Sequence, residues 1–238
     1  RARLIVNYEV IGRSDEQILA QYKDNPAKLS VEELVYGANK LVADKATKKD
    51  WYNTLVKQFP SDYRALNNLA QMAIEEGDAE TAKKYLQKAQ SINKSASEVN
   101  TNLGLLALKS GDVKAAETYL AAGSGANTFN EVMGALNVAK GNYTQAATNM
   151  KGAKSNAAAL AQILAKDYNS AKNTLNSIKN ADAITSYLKA VLAARTGDTG
   201  ALASNLKNAI QQDATLAARA AKDLEFAKYA STIKDIVK

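Results

Sequence analysis

The chain has 238 residues, an apolar content of 46% and a formal net charge of +7. It contains no Cys and no His, which excludes disulfides, thiolate chemistry and the commonest general base and metal ligand of proteins. We therefore expect neither a catalytic site nor a bound metal or cofactor. Only two prolines interrupt the sequence, Pro26 and Pro60, so it favours long helical stretches.

The positive charge is concentrated towards the C-terminus. Residues 126–238 hold fourteen Lys and Arg against eight Asp and Glu. Such a surface can attract acidic partners, but no run exceeds two consecutive basic residues, and a solvated Lys-rich helix surface explains the pattern more simply. We expect no nucleic-acid binding. No apolar run approaches the roughly 18 residues that suggest a membrane span, so we predict no transmembrane segment.

The N-terminal residues differ from the rest. Apolar, β-branched and aromatic side chains dominate Arg1–Ile11, which predicts a short β-strand. This strand is interpreted either as the last strand of an upstream domain or as one that pairs with its copy in a neighbouring molecule. Ser14 then predicts the cap of a short helix that begins near Asp15, with Gln17 as the reciprocal capping residue. We interpret residues 1–28 as strand and linker.

A glycine followed by Asp or Asn recurs through the rest of the chain. The first two copies, Gly77 and Gly111, lie 34 residues apart. After each copy, a small or apolar residue falls five positions on and a larger one four positions later. The glycines are Gly77, Gly111, Gly141 and Gly197, the residues five positions on are Ala82, Ala116, Ala146 and Leu202, and the larger residues are Leu86, Leu120, Met150 and Leu206.

This period is typical of a helical hairpin that buries its apolar face by stacking on its neighbours. We predict an all-α fold, an α-solenoid of antiparallel hairpins, with about six repeats over residues 29–213. In the fifth repeat, Asp167 and Tyr168 stand at the turn without a glycine. Residues 214–238 predict two short helices, broken near Asp223, that cap the array.

The repeat resembles the tetratricopeptide repeat, a 34-residue helical hairpin with small residues at its eighth, twentieth and twenty-seventh places. These places are Ala70, Ala82 and Ala89 in one repeat and Gly104, Ala116 and Gly123 in the next. The resemblance is specific over residues 61–122. The family's aromatic residue at the fourth place is replaced here by Leu66, Asn100 and Asn130. The resemblance implies a right-handed superhelix that binds protein segments on its concave face.

In such an array the first helix of each repeat lines the concave face, so its outward-facing polar residues are the candidates for peptide binding. Carboxamides offer both a donor and an acceptor to a peptide backbone. The candidates are Arg64, Asn67, Asn68 and Gln71 in one repeat, Glu98, Thr101 and Asn102 in the next, and Glu131 in a third. Arg64, Asn67 and Asn68 resemble part of the family's carboxylate clamp, although its lysines are missing. Ordinary solvated polar faces are the alternative interpretation.

We therefore expect a scaffold or adaptor that binds a protein or peptide partner. The alternative is a structural spacer, which an exposed surface without apolar anchors would favour. Residues Arg1–Tyr8 followed by such repeats also resemble the layout of large cell-envelope proteins of Gram-negative bacteria. This resemblance implies a periplasmic or outer-membrane-associated location, with the cytoplasm as the alternative.

Overall fold

The structure, a computed structural model, describes residues 12–237. The strand predicted for Arg1–Ile11 lies outside these residues. Within the described range every regular element is helical and no strand occurs. The α-helices are α1 Asp15–Asp24, α2 Val31–Tyr36, α3 Lys45–Gln58, α4 Tyr63–Glu76, α5 Ala79–Ile92, α6 Ser97–Lys109, α7 Val113–Leu120, α8 Phe129–Ala139, α9 Tyr143–Asn149, α10 Asn156–Leu164, α11 Tyr168–Ser177, α12 Ala183–Thr196, α13 Thr199–Gln212, α14 Leu216–Ala220 and α15 Ala230–Ile236.

Three shorter helical turns complete the order. These are the 3-10 helices Pro26–Lys28 and Leu224–Tyr229 and a π-helical turn at Gly37–Leu41. The described residues divide into two compact units, 12–106 and 107–237, with the division inside α6. Unit 1 contains the hairpin α4/α5, and unit 2 contains the hairpins α8/α9, α10/α11 and α12/α13.

Each glycine of the repeated dipeptide ends one helix in the left-handed conformation. Gly77, Gly111, Gly141 and Gly197 have φ of 80°, 81°, 78° and 81°. At the first of them, the amide of Gly77 donates to the Ile74 carbonyl at 3.2 Å and that of Asp78 to the Ala73 carbonyl at 2.9 Å. This is the Schellman arrangement, which satisfies the last carbonyls of the helix.

The acidic residue of the dipeptide caps the following helix. The side chain of Asp78 accepts the amide hydrogen of Thr81 at 3.0 Å, and Asp112 and Asp198 accept those of Ala115 and Ala201 at 2.9 Å each. Asn142 occupies the same place without a side-chain cap. Two adjacent residues thus close one helix and begin the next.

The fifth hairpin uses the same turn without glycine. Lys166 has φ of 62°, and the amide of Asp167 donates to the Gln162 carbonyl at 2.9 Å. Asp167 then caps α11 through the amide of Ser170 at 3.1 Å. The sequence placed Asp167 and Tyr168 at this turn, whereas the structure puts Lys166 in the place of the glycine.

The small and apolar residues at the repeated positions are buried. The small or apolar residue five positions after the left-handed residue of each hairpin turn is fully buried, and so is the larger residue that follows. The buried set comprises Ala82, Leu86 and Ala89, Ala116 and Leu120, Ala146 and Met150, Ala171 and Leu175, and Leu202, Leu206 and Ala209. The first helices contribute Leu66, Leu69, Ala70, Ala73 and Leu103 to the buried set.

Unit 1 is built around Trp51 of α3. The Tyr22 ring of α1 stacks on it with centroids 3.8 Å apart and planes 7° from parallel. The predicted capping box at Ser14 is confirmed, with Gln17 as its reciprocal partner, and Ser30 forms a second capping box with Glu33. Because Ile18 of α1 is buried in the same core, residues 15–24 fold against this unit.

The C-terminal residues of unit 2 cover the end of the α12/α13 hairpin. The predicted break near Asp223 is confirmed, since Asp223 caps the 3-10 helix that separates α14 from α15. Leu216, Phe226 and Ile233 are buried in the same core as Tyr187 of α12. We call residues 214–237 the cap segment.

Replacing Lys166 by glycine is expected to stabilise unit 2 by about 1 kcal/mol, because a left-handed backbone costs an L-residue about 1–2 kcal/mol. The matched control is Gly197→Ala, where a Cβ would meet no atom within 4 Å, so the conformation is its main cost. Urea denaturation followed by circular dichroism should show midpoint shifts of opposite sign. A lower midpoint for Lys166→Gly would show that the turn does not strain Lys166.

Replacing Gly37 by alanine is expected to destabilise unit 1 by about 1–3 kcal/mol, the usual cost of overpacking. The added Cβ would lie 2.0 Å from the Cζ3 atom of Trp51. The fluorescence of this only tryptophan reports the unfolding of unit 1 directly. The control, Gly12→Ala, adds a Cβ with nothing within 4 Å and should unfold like the parent chain. Equal midpoints for both variants would refute the close packing at Gly37.

Candidate functional site

A polar groove lies in unit 1 between the π-helical turn, α3 and α4. It encloses about 300 Å³. We call it the amide groove, and its lining residues are Asn39, Ala43, Lys45, Lys48, Tyr52, Asn68, Gln71, Met72 and Glu75. Three carboxamides and a phenol thus share one depression, which presents both donors and acceptors to a peptide backbone.

Hydrogen bonds fix the floor of the amide groove. The Tyr52 hydroxyl donates to Asn39 Oδ1 at 2.6 Å. Burial raises the pKa of this phenol, and a hydrogen bond with Asn68 opposes the rise. Lys45 pairs with Glu75 at 3.4 Å across the rim. The sequence-predicted Asn68 and Gln71 therefore come together here, beside residues that the sequence did not single out.

Arg64 is engaged within unit 1. Its Nη1 and Nη2 atoms donate to the two carboxylate oxygens of Glu32 at 3.0 Å each, and Nη2 also donates to Asp62 at 2.6 Å. Burial raises the pKa of the Asp62 carboxyl, but hydrogen bonds from Arg64 outweigh it and leave this pKa below its usual value. The same guanidinium lowers the pKa of Glu32. Arg64 thus ties α2 to the start of α4.

Three other candidates are buried, so the prediction that they face outward is wrong. Asn67, Thr101 and Asn102 are 7%, 0% and 6% exposed. Asn102 Nδ2 donates to Asn67 Oδ1 at 2.8 Å, so the two amides join α6 to α4. Because the Asn67 and Asn102 amides bond to each other inside the unit, they stabilise the contact between α4 and α6 and do not face a ligand.

The last two candidates remain exposed but do not line the amide groove. Glu98 stands on the first turn of α6, and Glu131 stands on α8 of unit 2. Of the eight candidates, the structure places Asn68 and Gln71 in one groove.

Unit 2 contains an apolar groove that the sequence analysis missed. It encloses about 450 Å³ between α10, α12 and the cap segment. Its lining residues are Asn156, Ala157, Leu160, Ile163, Leu164, Ile184, Tyr187, Leu188, Val191, Arg219, Asp223 and Glu225. We keep the name apolar groove for this set. The groove could have been expected from the spacing of Ile184, Leu188 and Val191, which places a second apolar stripe on α12.

Polar contacts hold the cap segment at the rim of the apolar groove. The Tyr187 hydroxyl donates to Asp223 Oδ2 at 2.6 Å, and the Tyr229 hydroxyl donates to the Ala194 carbonyl at 2.9 Å. Arg195 binds Glu225 with two nitrogens and donates to the Ile163 carbonyl at 3.0 Å. Burial and the neighbouring Asp223 carboxylate raise the pKa of Tyr187. These contacts give the groove a fixed wall.

Neither metal binding nor membrane spanning finds support over residues 12–237. No cluster of three or more Asp and Glu in this range is placed to hold a metal ion. No helix in the described part of the chain combines the length and the apolar character that a bilayer crossing requires.

Comparison with known proteins agrees with the helical-repeat architecture. Residues 73–136 match the family model of the tetratricopeptide repeat. A tetratricopeptide repeat protein from Parabacteroides merdae is 14% identical with a TM-score of 0.56, over 94% of this chain and 90% of that chain. Pseudomonas aeruginosa pilF is 14% identical with a TM-score of 0.54, over 91% of this chain and 98% of that one.

A chain of the APC/C hetero-tetramer Cut9–Hcn1 is 13% identical with a TM-score of 0.68, over 93% of this chain. This chain spans 45% of that protein's length. No curated protein matches the sequence. The fold is an all-α helical repeat similar to that of tetratricopeptide repeat proteins, and residues 73–136 are the segment that matches the family model. Proteins of this type generally mediate protein–protein interactions.

Replacing Asn102 by alanine is expected to destabilise unit 1 by about 1–3 kcal/mol, because the buried Asn67 amide loses its partner. Urea denaturation followed by Trp51 fluorescence measures the loss. In the double variant Asn67→Ala/Asn102→Ala the cost should fall below the sum of the two single costs.

Gln71→Ala is the control, since Gln71 is exposed in the same helix as Asn67 and should shift stability by less than about 0.5 kcal/mol. An Asn102→Ala variant as stable as this control would mean that the amide pair contributes nothing.

Proposed function

We propose that this chain is a protein-interaction module that holds a segment of a partner protein in the apolar groove. The observation that carries the proposal is the set of large apolar side chains from α10 and α12 that line an open depression of about 450 Å³. Ile184 remains 36% exposed there. Buried apolar anchors that fill such depressions supply most of the energy of protein interfaces.

The spacer interpretation accounts less well for this groove. An open apolar depression is a liability for solubility, and a chain that only separates its neighbours gains nothing from it. The cap segment also leaves the groove open while burying Leu216, Phe226 and Ile233 beside it. The opening supports a binding role.

The amide groove is the second candidate position, because it contains the sequence-predicted Asn68 and Gln71. It offers hydrogen bonds to an extended backbone, with Met72 and the Tyr52 ring as its large apolar surfaces. Hydrogen bonds to a ligand replace hydrogen bonds to water, so they add only modestly to affinity. This groove therefore fixes the alignment of a bound segment more than it contributes to its binding energy.

We further propose that the module acts without catalysis and within an envelope-associated protein. Support for the first point is the absence of His and Cys from the sequence. Support for the second is the resemblance of Arg1–Tyr8 to the strand that precedes such repeats in Gram-negative envelope proteins.

The test is a pull-down from envelope and cytosolic extracts with three purified forms of the chain. These are the parent, Ile184→Asp in the apolar groove and Asn68→Ala/Gln71→Ala in the amide groove. Ile184 is exposed enough for aspartate to be tolerated by the fold, which circular dichroism checks. Each retained protein is then purified and its affinity measured directly.

We expect a partner whose Kd rises at least about tenfold with Ile184→Asp, because a charge in the contact removes the anchor. The amide-groove variant should bind within a factor of about three of the parent. A partner lost only with Asn68→Ala/Gln71→Ala would move the site to unit 1. No specific partner in either extract would favour the spacer, and the extract that yields the partner identifies the compartment.

A further inference from the structure

Arg219 differs from the other arginines of the described chain. Arg13, Arg64 and Arg195 each lie within ion-pair distance of a glutamate. Over residues 12–237, Arg219 is the one arginine with no carboxylate at that distance. Its side chain is exposed at the rim of the apolar groove, so its charge is open to a ligand.

The two carboxylates that line the groove beside Arg219 are already occupied. Asp223 accepts the Tyr187 hydroxyl at 2.6 Å through Oδ2 and the amide of Glu225 at 3.0 Å through Oδ1. Both oxygens of Glu225 are bound by Arg195. Neither carboxylate lies within ion-pair distance of Arg219, so the guanidinium forms no salt bridge with either of them.

The position of the guanidinium is defined by an aromatic ring. Its central carbon lies 5.0 Å from the centroid of Tyr187. Tyr187 is itself fixed, since it is buried and its hydroxyl is bound to Asp223. The guanidinium also lies within hydrogen-bonding reach of the Tyr187 hydroxyl, and its remaining N–H groups can bind a carboxylate.

The same groove supplies apolar surface within one binding site. Ile184 and Leu188 of α12 line it together with Arg219. A ligand that covers these side chains also excludes water from the guanidinium, which strengthens a charge-assisted hydrogen bond. Residues 126–238 carry a net charge of +6, which favours the approach of an acidic segment.

We propose that Arg219 determines the specificity of the apolar groove, and that the groove selects protein segments in which an Asp or Glu side chain stands next to apolar side chains. This inference rests on the proposed function, because it names the chemistry of the segment held there. Ile184 and Leu188 take the apolar side chains, and Arg219 takes the carboxylate.

The test pans a displayed library of random 12-residue peptides on the 238-residue chain. The C-terminus of each peptide is fused to the coat protein, so an enriched acid is a side chain. The panned forms are the parent, Arg219→Glu, Ile184→Asp and Lys222→Glu. Lys222 is the matched control, since it is exposed three residues from Arg219, gives the same charge change and lies outside the groove lining.

On the parent and on Lys222→Glu we expect enrichment of peptides with two apolar residues and a neighbouring Asp or Glu. On Arg219→Glu the acid should give way to Lys or Arg. The best peptide, synthesised with an amidated C-terminus, should lose at least about tenfold in affinity when its acid is replaced by the corresponding amide, as expected for a charge-assisted hydrogen bond. The same loss should be absent with Arg219→Glu.

Two results separate this inference from the proposed function. Peptides that depend on Ile184 but show no preference for an acid would overturn the role of Arg219 and leave the groove as a binding site. An absence of enrichment on the parent chain would overturn both. A requirement for a free terminal carboxylate, found when the acid and amide forms of the peptide are compared, would also overturn the assignment to a side chain.

Discussion

The turn inside each hairpin is the constraint on which the rest of the structure depends. A left-handed residue ends the first helix, and in most repeats the acid that follows it begins the second, so both helices have their end groups satisfied within two residues. The turn therefore fixes the register of the hairpin. Five positions after the left-handed residue of each hairpin turn, a small or apolar side chain packs inside, and Ala82, Ala116, Ala146, Ala171 and Leu202 are 0% exposed there.

This register explains why some features could be predicted from the sequence and others could not. Inward positions and caps depend on contacts within about twenty residues, so their spacing is visible in the chain. The left-handed conformation of Lys166 was not predicted, because a lysine in the sequence does not indicate that conformation. Its neighbour Ala171 nevertheless keeps the spacing of five, and the repeat itself was therefore predictable.

The binding candidates were harder to predict because a polar residue on a first helix has two possible environments. An amide can face solvent, or it can bond across to the next first helix, as Asn67 and Asn102 do. Arg64 likewise has carboxylates from two elements, and local spacing does not show them. The apolar groove requires α10, α12 and the cap segment to meet, which is a tertiary contact between residues up to about seventy positions apart.

The cap segment connects stability with recognition in unit 2. Tyr187 anchors it by donating to Asp223 and packing edge-on against Phe226, with centroids 5.5 Å apart. The same Tyr187 ring positions Arg219, which has no carboxylate of the described residues within ion-pair distance. The cap segment thus covers the last apolar face of the unit and also contributes Arg219 to the wall of the apolar groove. Because Tyr187 serves both purposes, the packing that stabilises this end of the unit also fixes the geometry of the rim.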